Sequence, residues 1–224
     1  MVPESNFMKL HRRNNYQAKK FVELFPETKN ANPTDFVFFV SHKGKYGFLS
    51  NRFREPEGGH CGEGDIVFPT VEHQLMFEKA SLFGDRSSML AILKATTPAE
   101  VKKLGRKVVP FDEAVWNSQR YPILYRAILS KFQDSKELTE LLLKTGNKFI
   151  VEAASYDKIF GIGLSEYPID RSRGCKLGNG NFDVPPSEWL DQNLLGITLM
   201  EVRSTLVEQI STCPTALHNT KKIM

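Results

Sequence analysis

The 224 residues read as one compact α+β domain, mainly helical with a few short strands. Helical start and stop signals recur between Thr70 and Gly146. The β-prone runs are short and scattered, and no strand–helix–strand rhythm links them. Hydrophobic residues make up 41% and charged residues 25%, a globular balance that excludes wholesale disorder.

Residues 1–35 read as a peripheral extension with one helix near 15–25, broken by Asn30-Ala31-Asn32-Pro33-Thr34. Phe36–Val40 is β-prone, and Gly47-Phe48-Leu49-Ser50-Asn51 follows a Gly/Lys turn. The glycines of 54–65 predict a loop, and Ile66-Val67-Phe68 a short strand. Thr70 can cap a helix over 71–83, and a second helix is expected from Ser87 to Ala95. Thr97-Pro98-Ala99-Glu100 combines a capping threonine, a first-turn proline and a glutamate able to close the cap. Gly105 ends that helix. Asp112 starts the next, and Pro122 is expected to kink or split it before Ile123–Phe132. Asp134 and Glu137 frame a helix through Lys144. Lys148–Ala153 reads as a strand, 157–163 as a turn, 165–190 as a long loop, and Gly196–Ile210 as a closing helix. The expected layout is an extension (1–35), a catalytic domain (36–210) and a tail (211–224).

The net charge is +4, and the excess sits at the ends. Lys9, Arg12, Arg13, Lys19, Lys20 and Lys29 crowd the start, and Lys221 and Lys222 the finish. The body is therefore not a basic nucleic-acid module by composition. No run reaches the ~18 apolar residues of a membrane helix. The N-terminus shows no apolar stretch of the secretory kind. Cys61, Cys175 and Cys213 are odd in number and widely spaced, which fits a reducing, intracellular setting, cytoplasmic in the first place and nuclear as the alternative. No Cys-x-x-Cys pair suggests zinc, and no metal or cofactor is expected.

Thr70–Phe83 (TVEHQLMFEKASLF) breaks the expected amphipathic pattern. On a helical wheel Val71, Leu75, Met76, Leu82 and Phe83 form the apolar stripe, and Glu72 and Lys79 fall inside it, two turns apart. A structural ion pair is one reading, although buried pairs stabilise weakly. The other is a polar floor in an apolar cleft, where desolvation frees the lysine amine for Schiff-base chemistry. His73 points to the opposite, polar face and is expected at the surface.

A second constellation follows Thr145: a strand carrying Glu152, then Asp157, Gly161 and Gly163. Asp157 on spacing alone reads as a turn residue. Trp116 and Arg120 share a helical face, with the indole either in the core or serving as a stacking platform. Asn193-Leu194-Leu195-Gly196 is either a plain cap or a presenter of an amide and helical N–H groups to phosphate.

Taken in order, these pieces resemble the NADAR, or YbiA-like, family. They are Gly47–Asn51, Thr70–His73 through Lys79-Ala80, Leu104-Gly105-Arg106, Trp116 with Arg120, Lys131-Phe132, Leu142–Gly146, Val151-Glu152-Ala153 with Asp157, Gly161-Ile162-Gly163, and Leu195-Gly196 through Arg203. The likeness spans about 36–206. It implies a helix-rich α+β domain that hydrolyses the bond between a ribose carbon and a nitrogenous base. Two substrate types go with the family: ADP-ribose linked to guanine in nucleic acid, and phosphorylated ribosylamino-pyrimidine intermediates of riboflavin synthesis. It implies Lys79, Glu72 and Asp157 as catalytic residues. It puts Trp116, Phe160, Asn51, Arg120, Glu152, Gly161 and Gly163 around the substrate. The family's Trp-Gly-x-Gly stands here as Phe160-Gly161-Ile162-Gly163, which keeps a stacking ring and loses the indole N–H. The expected mechanism has Lys79 attack the anomeric carbon, Glu72 or Asp157 orient hydroxyls or shuttle protons, and Trp116 stack on the base. ADP-ribosylated nucleic acid is the expected partner, with a small nucleotide as the alternative. From another class, a binding module that reads ADP-ribose or NAD without chemistry would not need the lysine.

Overall fold

The computed structural model describes residues 21–154, 159–162, 189 and 192–212. The class is the expected one, α+β and rich in helix. The chain divides into two compact units, 1–50 with 145–201 and 51–144 with 202–224.

The first unit is built on a parallel pair of strands, β1 (Phe36–Phe39) and β4 (Phe149–Glu152), in register Phe36↔Phe149 through Phe39↔Glu152. An aromatic cluster packs on them. Phe21 stacks on Trp189 with centroids 5.5 Å apart, and Phe36 and Phe149 meet at 5.3 Å. Phe21, from a single helical turn (Phe21–Leu24), is fully buried, so this stretch belongs to the core rather than to a periphery. The closing helix α6 (Leu194–Thr212) begins in this unit. Gly196 is obligatory there: a Cβ would fall 2.0 Å from the Ile150 carbonyl oxygen.

The second unit opens with a small antiparallel pair, β2 (His60–Cys61), inside the stretch read as loop, and β3 (Val67–Phe68), where a short strand is expected. Five helices follow: α1 (Val71–Leu82), α2 (Arg86–Lys94), α3 (Pro98–Gly105), α4 (Glu113–Gln133) and α5 (Lys136–Leu143). Each starts on a side-chain cap, from Thr70, Asp85, Thr97, Asp112 and Ser135 respectively. These caps satisfy main-chain N–H groups that a helix start leaves without partners. The glutamate after Pro98 also bonds back, but to the Thr96 N–H rather than to that of Thr97. The last cap is Ser135 and not Asp134, whose carboxylate accepts from the Cys61 N–H at 2.7 Å. Pro122 does not split α4, which runs unbroken from Glu113 to Gln133. The missing N–H removes one ladder bond, and the buried side chains of Tyr121, Ile123, Leu124 and Ile128 hold the helix in place.

α1 is the centre of this unit, packed by α2, α3 and α4. That envelopment explains a correction. His73 is not at the surface: it is 2% exposed, with Nδ1 2.7 Å from the Thr70 hydroxyl, and burial lowers its pKa. With neighbours on several sides, Gln74 and Phe77 are buried as well, and the polar face of the wheel does not exist. At the other end Leu82 emerges into solvent.

Candidate active site

α1 brings Lys79 to the C-terminal end of α3. Its Nζ donates to the Gly105 carbonyl at 2.8 Å. The approach depends on the absence of a side chain, since a Cβ on Gly105 would lie 2.0 Å from Met76 Sδ. Gly105 thus closes α3 in a helical conformation and serves close packing, not a left-handed stop. The amine also lies over two rings, 4.4 Å from the Phe111 centroid and 5.5 Å from that of Trp116. Partial burial among these groups lowers the lysine pKa from its ordinary value.

Trp116 is buried on α4. Arg120, four residues on and also buried, donates from Nη1 to Asn117 Oδ1 at 2.8 Å. Phe111 is 47% exposed, yet its ring is braced edge-on by Phe83, with centroids 5.2 Å apart. The segment leading to it is tied to the start of α2, where Asp85 Oδ2 accepts from the Val109 N–H at 3.1 Å. The same carboxylate accepts from Ser87 Oγ, Ser88 Oγ and the Ser88 N–H, which holds it well below the usual carboxylate range.

Glu72 is buried at the opposite end of α1, about 10 Å from Lys79 along the helix axis. Its main-chain N–H donates to the Asn51 carbonyl at 2.9 Å, which joins an expected catalytic residue to an expected substrate-binding one. Asn51 Oδ1 is buried and has no hydrogen-bond partner among the described residues.

Sequence reasoning missed a polar relay in this unit. Glu55 meets His60 Nδ1 at 2.7 Å, and His60 Nε2 lies 2.6 Å from Gln74 Oε1. Gln74 Nε2 donates to Glu78 at 2.6 Å, and Arg126 donates to Glu78 at 2.5 Å. Gln74 and Glu78 leave α1 on the side away from Glu72 and Lys79. Lys131 is fully buried, 5.3 Å from the Phe53 centroid, and desolvation lowers its pKa to about 8 against a raising influence from Glu55. Glu55 edges a hollow of about 450 Å³ whose lining includes neither Lys79 nor Trp116. The pair Lys131-Phe132 entered the sequence reading only as a motif, because burial of a lysine is a tertiary property.

The second constellation lies in the first unit. Asn193 adopts a left-handed φ of 52° and bridges to β4: Oδ1 accepts from the Glu152 N–H at 3.0 Å, and Nδ2 donates to the Ile150 carbonyl at 2.8 Å. The N–H groups of Asn193, Leu194 and Leu195 donate to the carbonyls of Gly161, Ile159 and Phe160. The Asn193 amide and the N–H groups of Asn193, Leu194 and Leu195 are therefore occupied and not presented to a phosphate. This lattice of bonds gathers Glu152, Phe160 and Gly161. Asp157 and Gly163 lie outside the described residues. Among the described residues no three His, Cys, Asp or Glu side chains gather as a metal site would require. None of the described helices is long and apolar enough to cross a membrane.

A family model described as the NADAR domain matches residues 37–207. The chain belongs to the NADAR family. It is 34% identical over 142 residues to an N-glycosidase of Acanthamoeba polyphaga mimivirus, covering 63% of this chain and 76% of that one. It is 34% identical over 149 residues to the chloroplastic riboflavin biosynthesis protein PYRR of Zea mays, covering 63% of this chain and 20% of that one. The solution structure of the E. coli protein YbiA superimposes with a TM-score of 0.57 at 25% identity, covering 78% of this chain and 86% of that one. Several relatives carry the name N-glycosidase. This NADAR chain is accordingly an N-glycosidase, a hydrolase of N-glycosyl compounds.

Proposed function

We propose that the chain frees ADP-ribose from guanine in DNA, with Lys79 as the nucleophile of a Schiff-base intermediate. The observation that carries this reading is the position of the Lys79 amine. It is partly desolvated between Phe111 and Trp116, and fixed by one hydrogen bond to Gly105. A neutral amine donates one hydrogen to that carbonyl and keeps its lone pair for attack. The lone pair adds to the anomeric carbon as the glycosidic carbon–nitrogen bond breaks. The bonding electrons leave with the base nitrogen, which takes a proton from a carboxylic acid. Ring opening gives the imine, and water then returns the free amine and the released sugar aldehyde. In this scheme Glu72 or Asp157 orients ribose hydroxyls or moves protons. Trp116 stacks on the base, and Asn51, whose buried amide oxygen lacks a partner among the described residues, accepts from a substrate hydroxyl.

Borohydride reduction during turnover of an oligonucleotide carrying guanine-linked ADP-ribose tests the reading. Wild type should give a covalent adduct lost in Lys79→Ala, together with ADP-ribose release. Normal release without an adduct would mean direct water attack. The likeness to the maize riboflavin protein favours a second substrate, a phosphorylated ribosylamino-pyrimidine. Release from that nucleotide and none from the oligonucleotide would select it.

A further inference from the structure

We infer that Phe111 is the base-recognition residue of this N-glycosidase, a second flat wall beside Trp116 that selects substrates with a planar leaving base. The inference rests on Lys79 being the nucleophile and goes beyond that reading by naming what the leaving group must be. Sequence motifs do not single out this residue, whereas three features of its surroundings do. Its ring face lies 4.4 Å from Lys79 Nζ, closer than that of Trp116. It is 47% exposed, so a ligand can reach the ring without displacing core. It is nonetheless held in place, braced by Phe83 at 5.2 Å and carried by a segment tied through the Val109 N–H to Asp85.

An exposed aromatic ring is ordinarily free to turn, and fixing it opposes side-chain entropy. Here the fixing follows from packing that also aims the ring at the amine. An anomeric carbon poised for attack stands about 3–3.5 Å from Nζ. The bond to the leaving base extends roughly 1.5 Å further. With the sugar bound on the side of the amine that the ring flanks, the base lies within stacking reach of a ring whose centroid is 4.4 Å from the same nitrogen. Stacking on a fixed ring is tolerant of base identity but demands flatness. The competing role, an apolar lid that merely dries Lys79, needs bulk and not flatness.

That difference sets the experiment. Phe111→Leu keeps an apolar cover of similar reach and removes the flat face, while Phe111→Trp keeps the face. Steady-state kcat/KM is measured for both variants with a substrate whose leaving group is a planar base, and with a ribosylamine of a saturated amine. Circular dichroism melts confirm folding, and Lys79→Ala is run in parallel. Phe111→Leu should lose roughly tenfold to a hundredfold on the planar-base substrate, mainly in KM, and little on the saturated amine. Phe111→Trp should stay within about threefold of wild type on both. Wild-type kcat/KM in Phe111→Leu on the planar base, or an equal loss on both substrates, overturns the assignment. Full activity in Lys79→Ala would instead overturn the nucleophile on which it rests, so the two failures are distinguishable.

Discussion

Gly105→Ala is a sharp test of how the site is packed. The new Cβ would stand 2.0 Å from Met76 Sδ and 2.7 Å from Met76 Cγ. Relaxed contacts between such atoms are about 3.5–4.0 Å, so the overlap is roughly 1.5 Å. The clash is with a flexible side chain, and Met76 can swing away, but only into a core filled by its neighbours on α1. Overpacking of this kind costs about 1–3 kcal/mol. Alanine recovers about 1 kcal/mol of helix propensity, leaving a net loss of about 0–2 kcal/mol. Met76→Ala alone should cost about 2–5 kcal/mol through its cavity. In the double variant the alanine at 105 occupies part of that cavity, so the combined loss should fall short of the sum by about 1 kcal/mol or more. Urea unfolding of the four proteins, followed by circular dichroism, measures the cycle. If Gly105→Ala stabilises by its propensity alone, or the pair is additive within about 0.3 kcal/mol, the close approach does not govern this position. A companion effect is chemical. The displaced carbonyl loosens its hydrogen bond to Lys79, so borohydride trapping should weaken in Gly105→Ala and recover with Met76→Ala.

Two further expectations concern stability. Lys131 is held to a pKa of about 8, below its value of about 10.4 in an unfolded chain. Between those pH values the unfolded state binds more protons, so stability should rise with pH there, by up to about 3 kcal/mol. Subtracting the unfolding profile of Lys131→Met from that of wild type should isolate this slope, and parallel profiles would refute it. At Gly196 a Cβ meets main chain rather than a flexible side chain, the Ile150 carbonyl at 2.0 Å. Gly196→Ala should therefore destabilise by more than about 2 kcal/mol, and a thermal melt within a degree or two of wild type would contradict the packing.

Local chemistry was readable before the fold was known. The capping residues Thr70, Thr97 and Asp112 work through hydrogen bonds three residues away, so sequence spacing alone located α1, α3 and α4. The start of α2 lies one residue before the expected Ser87, and α5 is capped by Ser135 beside Asp134, because serines and aspartates stand side by side there and tertiary partners choose between them. The helical wheel placed Glu72 on a buried face, as found. It failed for His73, because a helix packed by three others has no single inner face. The relay from Glu55 to Arg126 joins residues far apart in the chain, and no spacing rule encodes it. The meeting of Phe111 with Lys79 is equally invisible to spacing, since it joins residues thirty-two apart on a segment held by the Asp85 tether. In the first unit the Gly161 and Phe160 carbonyls accept from the start of α6, a pairing across some thirty residues that spacing does not encode.

The β1–β4 pair bears on the order of events during folding. Its two strands are separated by roughly 110 residues of chain, so closing that loop opposes pairing by about 4 kcal/mol before any contact rewards it. Four residues per strand offer little to offset such a cost early on. The five helices between them rest on caps and neighbours close in sequence, which form without waiting for the ends. The strands are therefore expected to join late, and damage to them should speed unfolding far more than it slows folding.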